Sequence, residues 1–279
     1  MEPTGFLPTE RGRFAVATFG APTAPRRLLL LHGFPDTPAS FGPLAQRLAA
    51  RGFHCVAPWL RGYAPSPLDG DFTLEGLVAD VRAIARESGP FEAVIGHDWG
   101  AVITWALLGD DGLPRQARAV TMAVPHPLAF LGNGARSPAQ LFRSRYMAYF
   151  QLARADHTVD ADFVERWWRR WSPGFDPGWQ YWQHLRATMQ ASLPAPLAYY
   201  RAMVRPLGPA IARIRRGACV ELPVLHLQGA ADGCIDAAIG AGQERWCRAL
   251  ESRVLPGVGH FLHLEDPDAV SAAVVGFLG

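Results

Sequence analysis

The most informative stretch of this sequence is Val94-Ile95-Gly96-His97-Asp98-Trp99-Gly100-Ala101. The apolar run at 91–95 predicts a buried strand, and the apolar run at 99–108 predicts a helix. Between them, glycines on both sides of Asp98 permit a tight strand-to-helix turn that exposes the central side chain. The pattern indicates a catalytic nucleophile at Asp98. The alternative is an aspartate that only caps the following helix.

An aspartate at this turn implies different chemistry from the serine that commonly occupies it. A carboxylate attacks an sp³ carbon and leaves an alkyl ester on the enzyme. Asp98 therefore disfavours ordinary serine ester or peptide hydrolysis.

An oxyanion-binding loop is predicted after the apolar run 26–31, which reads as a strand buried on both faces. The string that follows it is His32-Gly33-Phe34-Pro35. The backbone N–H of Phe34, together with that of Trp99, could bind the oxyanion that forms when an ester on Asp98 is hydrolysed. The string could equally form only a tight turn.

Two later motifs offer an acid and a base. Asp232 closes the string Gly229-Ala230-Ala231-Asp232, and His260 closes Gly257-Val258-Gly259-His260. Each motif follows a predicted strand. The chain order Asp98, Asp232, His260 is the order nucleophile, acid, base, and it predicts a catalytic triad.

Strands and helices alternate in the first half of the chain, which is typical of an α/β protein with a mostly parallel central sheet. The predicted strands are 13–20, 26–31, 54–57, 91–95, 117–124, 223–228 and 252–255. The predicted helices are 41–51, 73–88 with Thr73 as its cap, 99–108, 238–250 and one after Pro267.

The alternation stops over residues 127–215, where helix-like spacing is broken by prolines and five of the nine tryptophans are concentrated. A segment of this length is too long for a loop. We therefore predict a sheet core in two parts, 1–126 and 216–279, with flanking helices and an inserted helical cap at 127–215.

The composition excludes several classes of function. Basic residues number 27 and acidic ones 25, so the net charge of +2 gives no reason to expect nucleic acid or an acidic membrane as partner. Four cysteines are too few for a disulfide scaffold and form no CxxC pair for a metal. No apolar run approaches the roughly 20 residues of a membrane span, and no signal peptide is visible, so we expect a cytoplasmic protein.

Four motifs of the sequence occur together: His32-Gly33-Phe34-Pro35, Arg61-Gly62-Tyr63-Ala64-Pro65-Ser66, Gly96-His97-Asp98-Trp99-Gly100 and Gly257-Val258-Gly259-His260. The set resembles the epoxide hydrolase and haloalkane dehalogenase branch of the α/β-hydrolase superfamily. The resemblance is firmest over 26–126 and 220–275, and Ala64 departs from it where relatives often have glycine. It implies the α/β-hydrolase fold with a cap, the triad above, and neither metal nor organic cofactor.

Two cap segments resemble those of epoxide hydrolases, namely Ser144-Arg145-Tyr146-Met147-Ala148-Tyr149-Phe150-Gln151 and Leu197-Ala198-Tyr199-Tyr200-Arg201. The resemblance implies that Tyr146 and Tyr200 donate a proton to the epoxide oxygen, with Tyr149 and Tyr199 as the nearest alternatives. Phe34, Trp99 and Tyr149 are predicted to line an apolar substrate pocket. The expected partners are a small apolar epoxide and water, and a homodimer is left open.

Three alternatives remain. The first is a haloalkane dehalogenase, which would use the same triad, with the indole N–H of Trp99 donating a hydrogen bond to the halide. Against it, this chain has Phe34 where many such enzymes have asparagine. Fluoroacetate dehalogenases are also similar, although they usually carry arginine at the position of Trp99. The third alternative is an idle member of the superfamily that only binds a small ligand.

Overall fold

The strands of the protein form one sheet in a computed structural model that describes residues 1–109, 113–114, 116–204 and 219–279. The strands are β1 (Gly5–Thr9), β2 (Gly12–Phe19), β3 (Arg26–Leu31), β4 (Phe53–Pro58), β5 (Ala93–His97), β6 (Arg118–Met122), β7 (Val224–Gly229) and β8 (Leu250–Leu255). Their order is β1-β2-β4-β3-β5-β6-β7-β8. Strand β2 runs antiparallel to both β1 and β4, and the remaining neighbours are parallel.

Helices cover the sheet and join its strands. They are α1 (Gly42–Ala50), α2 (Leu74–Ser88), α3 (Trp99–Gly109), α4 (Pro127–Gly134), α5 (Pro138–Arg143), α6 (Arg145–Tyr149), α7 (Ala155–Thr158), α8 (Ala161–Trp171), α9 (Trp179–Ser192), α10 (Leu197–Val204), α11 (Leu262–Glu265) and α12 (Pro267–Leu278). Short 3₁₀ helices lie at Pro38–Phe41, Ala237–Gly240 and Gln243–Trp246. Within the described part of the chain, no helix has the length and apolar content to cross a membrane.

The predicted strand at 26–31, buried on both faces, is confirmed by β3, which pairs in parallel with β4 and β5. Its four consecutive leucines at 28–31 are fully buried, because both faces of the sheet are covered. Helix α2 begins as predicted, since the Thr73 side chain accepts a hydrogen bond from the N–H of Gly76. In this parallel region the strands all end at one edge, where the loops carrying Phe34, Asp98 and Asp232 meet.

Within the described residues between β6 and β7 there are seven helices, α4 to α10, and we call them the cap helices. They confirm the predicted helical insertion over residues 127–204, whereas 205–215 lie outside the described residues. The tryptophans of helix α8 serve packing. Trp168 is fully buried and stacks on Phe261 with ring centres 4.2 Å apart, which fixes α8 to the sheet core. The division into 1–126, 127–215 and 216–279 stays a prediction.

Two elements differ from the sequence prediction. The helix predicted at 238–250 is wrong, because two 3₁₀ helices occupy this segment and strand β8 already begins at Leu250. Gly240 and Gly242 interrupt it, and Gly242 has a left-handed φ of 74° that ends any helix. Strand β1 was not predicted. It is a short edge strand, where Pro8 is tolerated because no further strand needs its missing N–H.

Candidate active site

The turn around Asp98 has the geometry that its glycines predict. Asp98 has a φ of 51°, in the left-handed region that few side chains adopt, and helix α3 follows at once. A Cβ atom at Gly96 would lie 2.2 Å from the carbonyl oxygen of Gly100, and one at Gly100 would lie 1.9 Å from that of Leu31. Only glycine fits at both positions, so the turn holds the Asp98 carboxylate at the end of strand β5.

The three predicted triad residues lie together and are buried. His260 Nδ1 is 2.9 Å from Asp232 Oδ2, and His260 Nε2 is 3.5 Å from Asp98 Oδ2. The other oxygen of Asp232 accepts hydrogen bonds from the N–H groups of Cys234 and Ile235, at 2.7 and 2.9 Å. The carboxylate of Asp232 is thereby fixed in place, and its second oxygen, which also accepts from Gln228 Nε2 at 2.8 Å, orients the imidazole.

Burial and the neighbouring carboxylates shift the pKa of His260 in opposite directions. Burial, the largest of them, lowers the pKa of this imidazole, but the neighbouring carboxylates of Asp232 and Asp98 outweigh it and raise the pKa to about 10. The free protein therefore carries an imidazolium between two carboxylates at neutral pH.

The predicted oxyanion loop lies against Asp98. The backbone N–H of Phe34 donates to Asp98 Oδ1 at 2.7 Å. A Cβ atom at Gly33 would lie 2.3 Å from the same oxygen, so glycine allows this close approach. His32 supports the loop by accepting from the N–H of Leu60 at 3.1 Å. The structure thus places one predicted donor at the carboxylate, while the N–H of Trp99 as the second donor stays a prediction.

The two cap tyrosines predicted to be acids, Tyr146 and Tyr200, lie near Asp98. The rings of Tyr146 and Tyr200 are 5.8 Å apart, and Tyr200 packs against the rings of Phe34 at 5.6 Å and Trp99 at 5.1 Å. The Tyr146 hydroxyl is 3.6 Å from the Cys234 thiol. Among the described residues, the buried Tyr200 hydroxyl has no hydrogen-bond partner. Such a group is costly to bury unless a ligand satisfies it.

The hydroxyls of the same two tyrosines hold their protons tightly. Burial raises the pKa of both phenols well above 10, and the Asp98 carboxylate nearby raises it further. Both hydroxyls therefore keep their protons until a strongly basic oxygen is placed beside them.

Tyr149 and Tyr199 use their hydroxyls elsewhere. The Tyr149 hydroxyl contacts Thr158 Oγ1 at 2.5 Å, and the Tyr199 hydroxyl donates to the carbonyl oxygen of Arg61. Phe150, which the sequence analysis did not single out, contacts the rings of Phe34 at 5.6 Å and Tyr200 at 5.0 Å. Tyr149 as a pocket residue stays a prediction.

A second residue missed from the sequence is Trp171, the last residue of helix α8. Its fully buried ring lies 5.1 Å from that of Tyr146 and 5.3 Å from that of His260. Its indole N–H has no partner among the described residues. The sequence offered no signal for it, because Trp171 is one of several tryptophans in the same helix-like pattern.

A buried histidine cluster lies behind the triad and is the group whose spacing could suit a metal. Within the described residues, Asp36, His97 and His263 each offer one ligand atom within 4.8 Å of the others. The imidazoles have other partners, since His97 Nε2 bonds to the carbonyl oxygen of His260 and His263 Nε2 lies 2.9 Å from Ser40 Oγ. We assign no metal to this cluster, and the expected absence of a metal stays a prediction.

Buried neutral histidines make the fold sensitive to acid. Burial lowers the pKa of His32 and His226 to about 4 and that of His263 to about 3, all below the ordinary 6.5. Below pH 6.5 the unfolded chain binds protons that the folded one refuses. We therefore expect the free energy of unfolding to fall by several kcal/mol from pH 7 to pH 5 in urea titrations. Two groups oppose this. Burial raises the pKa of Asp36 to about 6, so the folded chain gains a proton there. The neighbouring carboxylates raise the pKa of His260 to about 10, so its folded form is favoured further as the pH falls.

The variant His226→Gln tests the cause of this pH dependence. It removes one of the buried titrating groups, whose Nδ1 lies 3.0 Å from Thr121 Oγ1 within the sheet. The slope of unfolding free energy against pH should therefore drop by about one proton. A wild-type slope of zero across this range would contradict the assignment.

Comparisons with known proteins agree with this geometry. A model described as "Alpha/beta hydrolase family" matches residues 28–273. The chain is 29% identical to "Epoxide hydrolase A" of Mycobacterium tuberculosis, with 97% of each chain covered. It is 27% identical to "Epoxide hydrolase 3" of Xenopus tropicalis, with 90% of this chain and 71% of that protein covered.

Among solved structures, the chain resembles one described as "Novel epoxide hydrolases belonging to the alpha/beta hydrolases superfamily in metagenomes from hot environments". The TM-score is 0.85 and the identity 25%, with 100% of this chain and 99% of the other covered. The likeness thus spans the sheet, the cap helices and the loops that carry the site.

Proposed function

The chain belongs to the alpha/beta hydrolase family, and on that premise we propose that it is an epoxide hydrolase, which converts a small epoxide and water to a vicinal diol. The predicted α/β-hydrolase fold and hydrolase class are confirmed by this membership. The observation that carries the proposal is the pair of protonated tyrosines, Tyr146 and Tyr200, above a buried carboxylate. Opening an epoxide needs both a nucleophile and a proton donor at the oxygen.

In the first step, Asp98 attacks the less hindered epoxide carbon. Its Oδ1 is held by the Phe34 N–H, so the reacting oxygen is Oδ2, the one that faces His260. A carbon–oxygen bond forms to Oδ2 as the ring bond breaks. The electron pair of that bond stays on the epoxide oxygen, which takes a proton from Tyr146 or Tyr200.

In the second step, His260 activates water. The ester removes the Asp98 charge, which lowers the pKa of His260 from about 10 and releases a proton that restores the tyrosine. The neutral imidazole, oriented by Asp232, then takes a proton from the water that attacks the ester carbonyl carbon. Negative charge develops on Oδ1, where the Phe34 N–H donates. The bond between the carbonyl carbon and Oδ2 then breaks, and the departing diol oxygen takes a proton from His260. The remaining proton of the attacking water passes from the new Asp98 carboxyl group to His260, which regenerates the carboxylate.

The two tyrosines provide the test of this function. We expect Tyr146→Phe and Tyr200→Phe each to slow alkylation of Asp98 by terminal epoxides by on the order of 10²-fold, because the alkoxide loses a proton donor. Diol formation and single-turnover rates over a small epoxide panel would measure the effect. Tyr199→Phe is the matched control and should retain wild-type rates, since its hydroxyl bonds to Arg61. Wild-type rates in both test variants would exclude these tyrosines as the acids.

A haloalkane dehalogenase is the second candidate, and Trp171 favours it. Its buried indole N–H has no partner among the described residues, and such a donor could stabilise a departing halide beside Trp99. Halide release needs no proton donor. Release from 1-haloalkanes that is unaffected by Tyr146→Phe and Tyr200→Phe, with no diol from any epoxide, would establish this function instead.

The substrate is proposed to be small, apolar and uncharged. The rings of Phe34, Trp99 and Phe150 lie around Tyr200 and form apolar walls near the nucleophile. We propose the cytoplasm as the location, and a homodimer remains an open proposal. No step above requires a metal or organic cofactor.

A further inference from the structure

The loop that carries the general base, residues 257–261, is held by a carboxylate outside the triad. Glu265 Oε2 accepts from the N–H of Gly259 at 2.8 Å, and Glu265 Oε1 accepts from the N–H of Phe261 at 3.1 Å. The two backbone groups lie on either side of His260. The Glu265 side chain thus bridges the two backbone N–H groups that flank His260, and each of its carboxylate oxygens accepts a charge-assisted hydrogen bond.

The cap helices reach the same loop. The Ser172 hydroxyl, directly after helix α8, donates to Glu265 Oε1 and accepts from the N–H of Phe261 at 3.1 Å. The carbonyl oxygen of Trp171 accepts from the N–H of His260 at 3.2 Å and from that of Gly233 at 2.9 Å. The end of α8 therefore contacts the base loop and the residue next to Asp232.

The carbonyl group of His260 is held by the residue that precedes Asp98. His97 Nε2 donates to the carbonyl oxygen of His260 at 2.9 Å. Burial lowers the pKa of His97 well below 6.5, so the imidazole is neutral, and the carbonyl oxygen requires its proton to lie on Nε2. The backbone of His260 is thereby fixed at its N–H, at its carbonyl and at both neighbouring N–H groups.

We propose that Glu265 is the positioning residue of the general base, and that Ser172 extends its hold to the end of the cap helix α8. The inference rests on the proposed function, since His260 acts only in the second step. Glu265 does not touch the substrate. It holds the imidazole at 2.9 Å from Asp232 and 3.5 Å from Asp98, where displacements of about 1 Å can cost on the order of 10²-fold in rate.

The test separates the two steps in the full-length protein. Glu265→Gln keeps the shape of the side chain, but its amide nitrogen must face one of the two N–H groups, and that bond is lost. We expect ester hydrolysis to slow by about 10- to 100-fold while alkylation by a terminal epoxide changes less than about 2-fold. Quenched-flow mass spectrometry would then show alkylated Asp98 accumulating in the steady state.

The pH profile gives a readout that a purely structural role would not move. A loosened loop weakens the contact between His260 and Asp232, which is what raises the pKa of the base. The acidic limb of the hydrolysis step should therefore shift to lower pH in Glu265→Gln. Ser172→Ala, which removes one contact to each partner, should show the same changes at smaller size. It also keeps the test open if the Glu265 variant does not fold.

Glu165→Gln is the matched control, because Glu165 lies in helix α8, which ends at the base loop, but pairs with Arg169 and Arg186 instead of that loop. Both steps should keep their wild-type rates there. Equal slowing of both steps in Glu265→Gln, or an unchanged hydrolysis step, would overturn the positioning role. If wild type forms neither diol nor adduct from any epoxide, the proposed function itself has failed.

Discussion

His260→Gln should convert the protein into one that is alkylated once by an epoxide and then stalls. We expect the mass of the intact chain to rise by the mass of one epoxide molecule, with the addition on the peptide that contains Asp98. Hydrolysis of the ester should slow by on the order of 10³-fold, the usual contribution of a general base. Single-turnover mass spectrometry with a terminal epoxide measures both quantities.

The physical reason is that the two steps use different groups. Alkylation needs the Asp98 carboxylate and the tyrosine protons, and none of these is removed by the substitution. The glutamine amide can still donate to Asp232 Oδ2, which otherwise lies 2.9 Å from the imidazole. An amide nitrogen is not basic, so it cannot take a proton from water, and the ester persists.

His226→Gln is the matched control for this experiment. His226 is also buried, and its Nδ1 lies 3.0 Å from Thr121 Oγ1 within the sheet. This variant should turn over many times without accumulating an adduct. Alkylation of Asp98 by 1-haloalkanes but by no epoxide would indicate a haloalkane-type reaction. The absence of any adduct over broad panels of epoxides and 1-haloalkanes would contradict an alkyl-enzyme on Asp98.

That Asp98, Asp232 and His260 lie close together could be predicted from sequence, because each of them follows a strand. Parallel pairing places the ends of β5, β7 and β8 at one edge of the sheet. Residues as distant in sequence as Asp98 and His260 are then brought to 3.5 Å. Glycines around Asp98 added a local signal, since only glycine avoids the contacts that a Cβ atom would make there.

The choice between neighbouring tyrosines could not be made in the same way. Tyr199 and Tyr200 are consecutive on helix α10, and both are fully buried, so periodicity and hydrophobicity treat them alike. The difference lies in tertiary partners: the Tyr199 hydroxyl bonds to Arg61, 138 residues away in sequence. The resemblance to epoxide hydrolases indicated Tyr200, and the packing explains how it is left free.

The contacts that hold the His260 loop could not be predicted from the sequence either. Glu265 lies five residues after His260, but an acidic residue near a helix start is common and usually solvated. Its role becomes visible only when the two N–H groups beside His260 are found on its carboxylate. Ser172 lies 89 residues from Phe261 in sequence. Its hydroxyl reaches the Phe261 N–H only because the end of helix α8 packs against the edge of the sheet.

Asp98→Asn should abolish turnover of epoxides, with a loss on the order of 10⁴-fold or greater in kcat. The amide is nearly the same size as the carboxylate but is neither charged nor nucleophilic, so no ester can form. No alkylated enzyme should therefore appear by mass spectrometry, even after long incubation, in contrast to His260→Gln.

The Asp98→Asn variant tests the chemistry of the side chain alone, because the fold should tolerate the substitution. Asn adopts the left-handed φ of 51° at least as readily as Asp does. Its amide oxygen can still accept from the Phe34 N–H, which donates to Oδ1 at 2.7 Å in the native site. We expect the melting temperature to remain within a few degrees of wild type, so that lost activity reflects lost chemistry.

A second buried aspartate provides the control for this substitution. Asp36 Oδ1 accepts from the Tyr181 hydroxyl at 2.9 Å and from the Thr37 N–H at 2.7 Å, and an asparagine oxygen can replace it in both bonds. Asp36→Asn should therefore keep turnover near the wild-type value. Comparable losses in both variants would mean that any buried amide disrupts the site. Substantial diol formation by Asp98→Asn would remove this residue as the nucleophile, because no other carboxylate in the described residues lies between the Phe34 N–H and His260 Nε2.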